Sequence, residues 1–428
     1  MKYSILFFVS LSLLAAPPAR FARRNRLATL TIQPPDPSLC IPDDGVPCYS
    51  PQQLQNAYGL TPLLSAGYNG KGQTIVLIES FGSPTVKADL KAFDEAYNLP
   101  DPPAFQVLAP LGAVPFDPNN NDQVNWAFET NLDVEWAHAM APGANIVVLT
   151  SPVDETQGVQ GLPQFLALEE YALAHRLGSI ISQSWGTTEN TLFNTAGVRV
   201  INGFESFYEA AAAQNVTVLA GAGDSGAANV DVNGNFYPFP TVLFPASSPF
   251  VVAVGGTTLQ AGSTGSFESE TVWNDVTGTT GGGVSRYFAE PEYQRELPQS
   301  VQKQIADHRG IPDVGFNADP VFVYIGIFSD PNDNGFYTVG GTSVSTPAWA
   351  GIISIADQLA GRPVGLVNPT LYFLGAFGAQ AEFFHDVQTG NNSANGVTGY
   401  DATTGWDLAS GWGSPNLGNL IWEMLAGR

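Results

Sequence analysis

The sequence predicts an α/β protein built on a mostly parallel central sheet that helices cover on both faces. Three observations carry this. From residue 70 onward, short apolar segments alternate with longer helical ones, and such alternation implies right-handed crossovers that lay helices on a parallel sheet. The apolar segments are rich in Ile and Val and nearly continuous in hydrophobicity, as strands buried on both faces are. Apolar residues make up 44% of the 428 residues, enough for a sizeable core.

The expected strands are Thr74–Glu79, Asn145–Leu149, Ser179–Gln183, Val216–Ala220 and Phe250–Val254. Between them the expected helices are Thr85–Tyr97, Asp122–Met140, Leu162–Arg176 and Asn202–Gln214. From about 255 to 340 the chain reads as Gly- and Pro-punctuated loop with short strands such as Val321–Ile327. Gly340-Gly341-Thr342-Ser343 then leads into a helix of small residues, Ser345–Leu359. The stretch from Glu382 to Pro415 is loop, dense in Gly, Asn and Asp. No linker divides residues 50–428. Active sites of such sheets lie at the carboxyl ends of the strands.

Charge excludes some functions. Asp and Glu number 39 against 16 Lys and Arg, and five of the bases (Lys2, Arg20, Arg23, Arg24, Arg26) precede any acid, so the remainder carries 11 − 39 = −28. That argues against nucleic acid and anionic membrane as partners. Below about pH 4 most carboxylates neutralise and few cations remain to repel one another, so the composition suits an acid environment. Residues 1–26 have a secretory layout, with Lys2 before an apolar run from Tyr3 to Ala16 that is short for a membrane span. Export to the extracellular space is expected. A Pro-rich leader, 27–48, holds both cysteines, Cys40 and Cys48. In an exported protein a disulfide is the expectation, and two cysteines without nearby histidine cannot close a zinc site.

The strongest chemical signal is Gly341-Thr342-Ser343-Val344-Ser345-Thr346-Pro347. A serine at the tight entry to a helix is held rigid beside N–H groups able to bind an oxyanion, although serine is also an ordinary helix cap. The histidines, His138, His175, His308 and His385, offer no convincing base for it. Carboxylates do. Glu129 and Asp133 are four apart on one helix, share a face, and could share a proton. Glu135 falls on another face and is expected to point to solvent. Asp224, in Gly223-Asp224-Ser225-Gly226, directly follows a strand, where a protonated carboxyl could donate to an oxyanion; a plain turn is the alternative.

These segments together resemble the sedolisin family of serine-carboxyl peptidases, which have a subtilisin-like fold. The matching pieces occur in order: Glu129-Thr-Asn-Leu-Asp133 with Ala141-Pro-Gly-Ala144, Ser182-Gln-Ser184-Trp185-Gly186, Gly223-Asp-Ser-Gly226, Phe244-Pro-Ala-Ser-Ser-Pro249, Gly255-Gly-Thr-Thr258, Gly281-Gly-Gly-Val-Ser285 and Gly341-Thr-Ser343-Val-Ser-Thr-Pro347. The resemblance spans roughly residues 50 to 420, and 49–428 is expected to be the peptidase domain. It implies Ser343 as nucleophile, Glu129 as general base and acid, Asp133 as the group orienting Glu129, and Asp224 as oxyanion stabiliser. Glu79 and Trp185 would extend the proton network, and Gly281, Gly282 and Gly283 would pair with substrate backbone. It also implies a C-terminal calcium loop holding one structural Ca2+ through the carboxylates of Asp386 and Asp407 and the carbonyls of Val387, Thr403 and Gly405. Thr403 stands where the family usually has glycine.

The expected activity is endopeptidase hydrolysis of unfolded polypeptides at roughly pH 3–5, where Asp224 is protonated and Glu129 partly ionised. The protein is expected to be a monomer, with no nucleic acid and no membrane among its partners. A tripeptide-releasing aminopeptidase remains open, as do a catalytically silent secreted binding protein on the same scaffold and a neutral-pH hydrolase using His138.

Overall fold

The computed structural model describes Asn25, Arg26, Cys40, residues 45–377 and residues 380–426. The expected signal segment up to Arg24 and most of the Pro-rich leader lie outside the described residues. Asn25 and Arg26 pair antiparallel with Thr338 and Tyr337. Cys40 and Cys48 form a disulfide, with α-carbons 5.7 Å apart. No described helix is long and apolar enough to cross a membrane.

An eight-stranded sheet organises the described residues. Seven of its strands are β1 (Thr74–Ser80), β2 (Phe105–Leu108), β3 (Asn145–Ser151), β4 (Ile180–Gln183), β5 (Thr217–Gly221), β6 (Val252–Ala261) and β7 (Phe267–Val272), in the order β7-β6-β5-β4-β1-β3-β2; the eighth, Val314–Asn317, pairs with β6 off this path. Every neighbour is parallel except the antiparallel β7–β6 pair. The register is strict at the centre, where Thr74 to Ser80 face Asn145 to Ser151 one for one. Because strand side chains alternate faces, Ile75 and Leu77 enter one core while Val76 and Ile78 enter the other. The continuous hydrophobicity of β1 thus reflects burial on both sides, each side chain contributing about 1.5–3 kcal/mol.

Helices α1 (Val86–Tyr97) and α2 (Asn121–Met140) pack with the Thr342–Ala360 helix on the first face; α3 (Leu162–His175) and α4 (Thr195–Ala213) cover the second. The helix of small residues is thus α5 (Thr342–Ala360). Both α2 and α5 run from the carboxyl edge of the sheet to its amino edge: α2 leads into the start of β3, and the far end of α5 reaches the Asn69–Lys71 turn ahead of β1 through Gln358. A side chain on Gly351 would press into Met140 and the Ala137 carbonyl, so this glycine brings the two helices together.

Several expectations needed correction. Helix α4 starts seven residues before Asn202, at Thr195, because the Asn194 side chain caps the N–H groups of Ala196 and Gly197. Helix α5 starts at Thr342 rather than Ser345, which puts Ser343 inside the first turn. The supposed loop region 255–340 carries the rest of β6, then β7, β8 (Gly283–Ala289), β9 (His308–Ile311), β10 (Val314–Asn317), β11 (Val321–Ile325) and β12 (Gly335–Val339). Each is short and glycine-containing or flanked by turns, so periodicity is weak. Glu135, expected at the surface, is wholly buried, and its Oε2 accepts the Tyr324 N–H at 2.9 Å. The reason is that β11 covers the outer side of α2, where Trp136 also donates to the Phe322 carbonyl. Burial pushes the Glu135 carboxyl well up.

Candidate active site

Ser343 is the second residue of α5 and 9% exposed. The first N–H groups of a helix have no partner within it, so the Ser343 amide is left without a helical acceptor beside its own hydroxyl. The turn that makes this possible centres on Gly341, at φ +133°, where a side chain would also strike Asp224. Pro347 has no N–H to give the Ser343 carbonyl four residues back. The turn is held instead by the Thr346 hydroxyl, which donates to the Thr342 carbonyl at 2.8 Å.

Asp224 lies three residues beyond β5. Its Oδ1 accepts the Thr342 N–H at 2.8 Å and the Thr342 hydroxyl at 2.9 Å, while Oδ2 occupies the space a side chain on Gly341 would take. Burial pushes this carboxyl up to about 6, against the pull of both Thr342 bonds. In acid it is therefore a neutral donor at the start of α5.

The carboxylates of α2 form the other wall. Glu129 is 1% exposed and Asp133 fully buried. Asp133 Oδ1 accepts the Ser184 hydroxyl at 3.0 Å, and its carboxyl hydrogen-bonds that of Glu79 at the end of β1. Glu79 also accepts the Thr130 hydroxyl, at 3.4 Å. Burial first, then the Glu79 charge, hold Asp133 well above the usual carboxylate range. Two carboxyls in contact must share a proton. Gly351 meets α2 at Ala137; Ser343 is 351 − 343 = 8 residues before the one, and Glu129 is 137 − 129 = 8 before the other. Eight residues are about 12 Å of rise, so the two helices running the same way bring Ser343 and Glu129 to one level.

Trp185 stands outside this chain of carboxyls: its ring stacks on Phe165 at 4.5 Å, and its indole N–H has no acceptor among the described residues. Gly281 and Gly282 are buried, and side chains there would strike the carbonyls of Ala222 and Leu408. The Gly281 N–H donates to the Gly223 carbonyl at 2.6 Å, beside Asp224. Gly283 opens β8, opposite Ile311 of β9. These glycines are thus in close backbone packing, with Gly281 supporting the Asp224 turn.

At the C-terminal end, Asp386 accepts the Gly405 N–H at 3.2 and 3.3 Å, and Asp407 accepts the Thr403 N–H at 2.7 Å. Both carboxylates therefore meet the loop 403–407. Asp407 Oδ1 also accepts the N–H groups of Ala409 and Ser410. Two carboxylates converging on a loop with its own carbonyls are a hard-oxygen donor set, which fits calcium. No group of three or more His, Cys, Asp or Glu suited to a metal occurs among the described residues.

A sequence model described as Peptidase S8, subtilase family, matches residues 116–363. The chain belongs to the subtilase family. Its relatives place it among the sedolisin-type subtilases: kumamolisin of Bacillus sp. (strain MN-32) is 37% identical over 378 residues, 86% of this chain and 62% of that protein. Sedolisin of Pseudomonas sp. (strain 101) is 30% identical over 360 residues, 81% and 57% of the two chains. Tripeptidyl-peptidase 1 of Homo sapiens is 35% identical over 264 residues, 57% and 42%. The chain thus spans less than two thirds of these curated relatives. The solved structure of Pseudomonas sedolisin, a serine-carboxyl proteinase complexed with two molecules of pseudo-iodotyrostatin, superposes with a TM-score of 0.73 at 27% identity, covering 89% of this chain and 98% of that one.

Within this subtilase scaffold, the histidine considered as a rival base is remote. His138 sits near the amino-edge end of α2, fully buried, with Nε2 at 2.8 Å from the Pro100 carbonyl and 3.2 Å from Asp94. Sequence reasoning missed the roles of Thr342 and Ser184. Both are hydroxyl residues adjoining expected site residues in sequence or space, and Ser184, just past a parallel strand, was the legible one.

Proposed function

We propose that this protein is a secreted, acid-active serine-carboxyl endopeptidase that hydrolyses unfolded polypeptides. The observation carrying the reading is the placement at one sheet edge of Ser343 in the first turn of α5, Asp224 tied to the same turn, and a buried carboxyl chain on α2. Ser343 Oγ attacks the scissile carbonyl carbon as Glu129 takes its proton. The oxyanion is met by the Ser343 N–H and by protonated Asp224. Glu129 then returns the proton to the leaving amine, and water repeats the sequence on the acyl-enzyme. Asp133, sharing a proton with Glu79 and held by Ser184, orients Glu129.

Residues 49–428 are the peptidase domain in this reading, acting as a monomer, with 1–26 directing export. Asp386, Asp407 and the carbonyls of Val387, Thr403 and Gly405 would hold one structural calcium, which would tie the C-terminal loops together. Gly281–Gly283 would present backbone to substrate at the start of β8.

The test is digestion of an unfolded protein and a long peptide at pH 4 and pH 7, with mass analysis of the products. Internal fragments at pH 4 that vanish in Ser343→Ala and in Glu129→Ala are expected. Undiminished cleavage in either variant overturns the mechanism, and tripeptides released from the N-terminus overturn the endopeptidase assignment.

A further inference from the structure

Beside the site lies a hollow of about 310 Å3 whose walls include Arg286, His308, Tyr400, Pro240 and Gln304. No Asp or Glu lines it, in a protein with 39 acids against 16 Lys and Arg. Arg286 is the exposed fourth residue of β8 and has no carboxylate within ion-pair distance among the described residues. Glu189, which meets the same strand, is already engaged: its oxygens accept the Ser285 hydroxyl at 2.5 Å and the Arg286 backbone N–H at 2.8 Å. The guanidinium carbon lies over the Phe239 ring, 4.1 Å from its centroid, a cation–π contact that restrains the group before anything binds. His308 enters from β9, its Nδ1 3.3 Å from the Phe288 carbonyl.

The chain that lines the hollow leads directly into the catalytic turn. The Gly281 N–H bonds the Gly223 carbonyl next to Asp224, and the Tyr400 ring abuts Gly283. Tyr400 is itself tied to the turn, since its N–H bonds Asn392 Oδ1 at 2.7 Å while the Asn392 carbonyl accepts the Ala227 N–H at 2.9 Å. Five residue steps separate Gly281 from Arg286, at most about 16 Å of chain, the reach of four or five extended substrate residues.

We propose that this hollow is a substrate subsite selecting an acidic side chain, Asp or Glu, that Arg286 binds as a bidentate carboxylate partner. Such a fork geometry favours arginine over lysine. The inference rests on the peptidase reading and adds a specificity determinant to it: peptides would be chosen by one carboxylate placed several residues from the scissile bond.

The test separates binding from turnover. Peptides carrying a single Glu, scanned over five positions either side of a fixed cleavage point, are compared with their Gln counterparts at about pH 5.5, where a free Glu is ionised. Binding is read by fluorescence anisotropy on Ser343→Ala, and cleavage on the unmutated chain. One position at which Glu binds about tenfold tighter than Gln is expected. That ratio should collapse towards one in Ser343→Ala/Arg286→Gln and be partly kept in Ser343→Ala/Arg286→Lys. Equal binding of Glu and Gln peptides at every position, or a preference that survives Arg286→Gln, overturns the subsite. Failure of the unmutated chain to cleave any peptide, with the Arg286-dependent binding intact, overturns the peptidase reading instead.

Discussion

Thr342 donates both its N–H and its hydroxyl to the same oxygen of Asp224, at 2.8 and 2.9 Å. One residue thereby ties the strand-end carboxyl to the helix that carries Ser343. The second oxygen of Asp224 is left on the Gly341 side of the turn.

Asp224 should set the alkaline limit of activity. Its folded value is raised to about 6 by burial, so the donor form is complete well below that pH and is lost as pH rises through it. Asp224→Ala should lower kcat about 10²–10³-fold. Asp224→Asn keeps a donor that cannot ionise, so its pH–rate profile should lose the fall near 6. Thr342→Val removes a bond that favours the charged form and should move that fall to higher pH. An unmoved limb in both variants would assign it to another group.

Ser184→Ala removes the hydroxyl that fixes Asp133 Oδ1. A neutral carboxyl chain without this donor orients Glu129 less well, so kcat should drop about tenfold with KM little changed. Ser184→Thr, which keeps the hydroxyl, should restore most of the loss; a change in KM alone would contradict the role.

Buried carboxyls should make the protein more stable in acid than at neutral pH. Glu169 of α3 is fully buried and its oxygens have no partner among the described residues; burial, then neighbouring Glu170, push it well up. Glu270 is raised to about 7 by burial despite bonds from Ser414, Tyr58 and Thr257. A raised folded value means stability is complete below the unfolded value near 4.3 and is lost as pH rises through the folded one. Melting temperature should therefore fall between pH 5 and 8. Glu169→Gln should raise it by several degrees at pH 7 with little gain at pH 4; equal effects at both would show that size, not ionisation, matters there.

Chelation should lower the melting temperature if the 403–407 loop holds calcium, and excess Ca2+ should restore it. Asp386→Ala, which leaves the Asp407 loop bonds intact, should abolish the response to chelator. An identical melting curve with and without EDTA removes the calcium site.

Much of this was legible because it is local. The strands around Thr74, Asn145 and Thr217 declared themselves through runs of Ile and Val, and the Glu129/Asp133 spacing was visible on any helix. The surroundings of α2 were not legible. Glu135 looked solvent-facing because helical periodicity assumes one wet side, and from Trp126 onward α2 has none: the sheet, α1, α5 and β11 enclose it. Likewise the start of α4 was hidden behind Gly197 and the β-branched Val198, Val200 and Ile201, which read as poor helix formers until the Asn194 cap is seen.

The sequence by itself determined the fold class, five of the eight sheet strands, the acidic character and the identities of Ser343, Glu129, Asp133 and Asp224 as candidates, since these follow from periodicity, composition and short motifs. Only the tertiary structure decided that Asp133 pairs with Glu79, that Thr342 holds Asp224, that Trp185 packs on Phe165, and that Arg286 faces a hollow free of acid. Those contacts join positions distant along the chain. They exist because a parallel sheet gathers the ends of separate strands at one edge, a proximity that no local pattern in the sequence encodes.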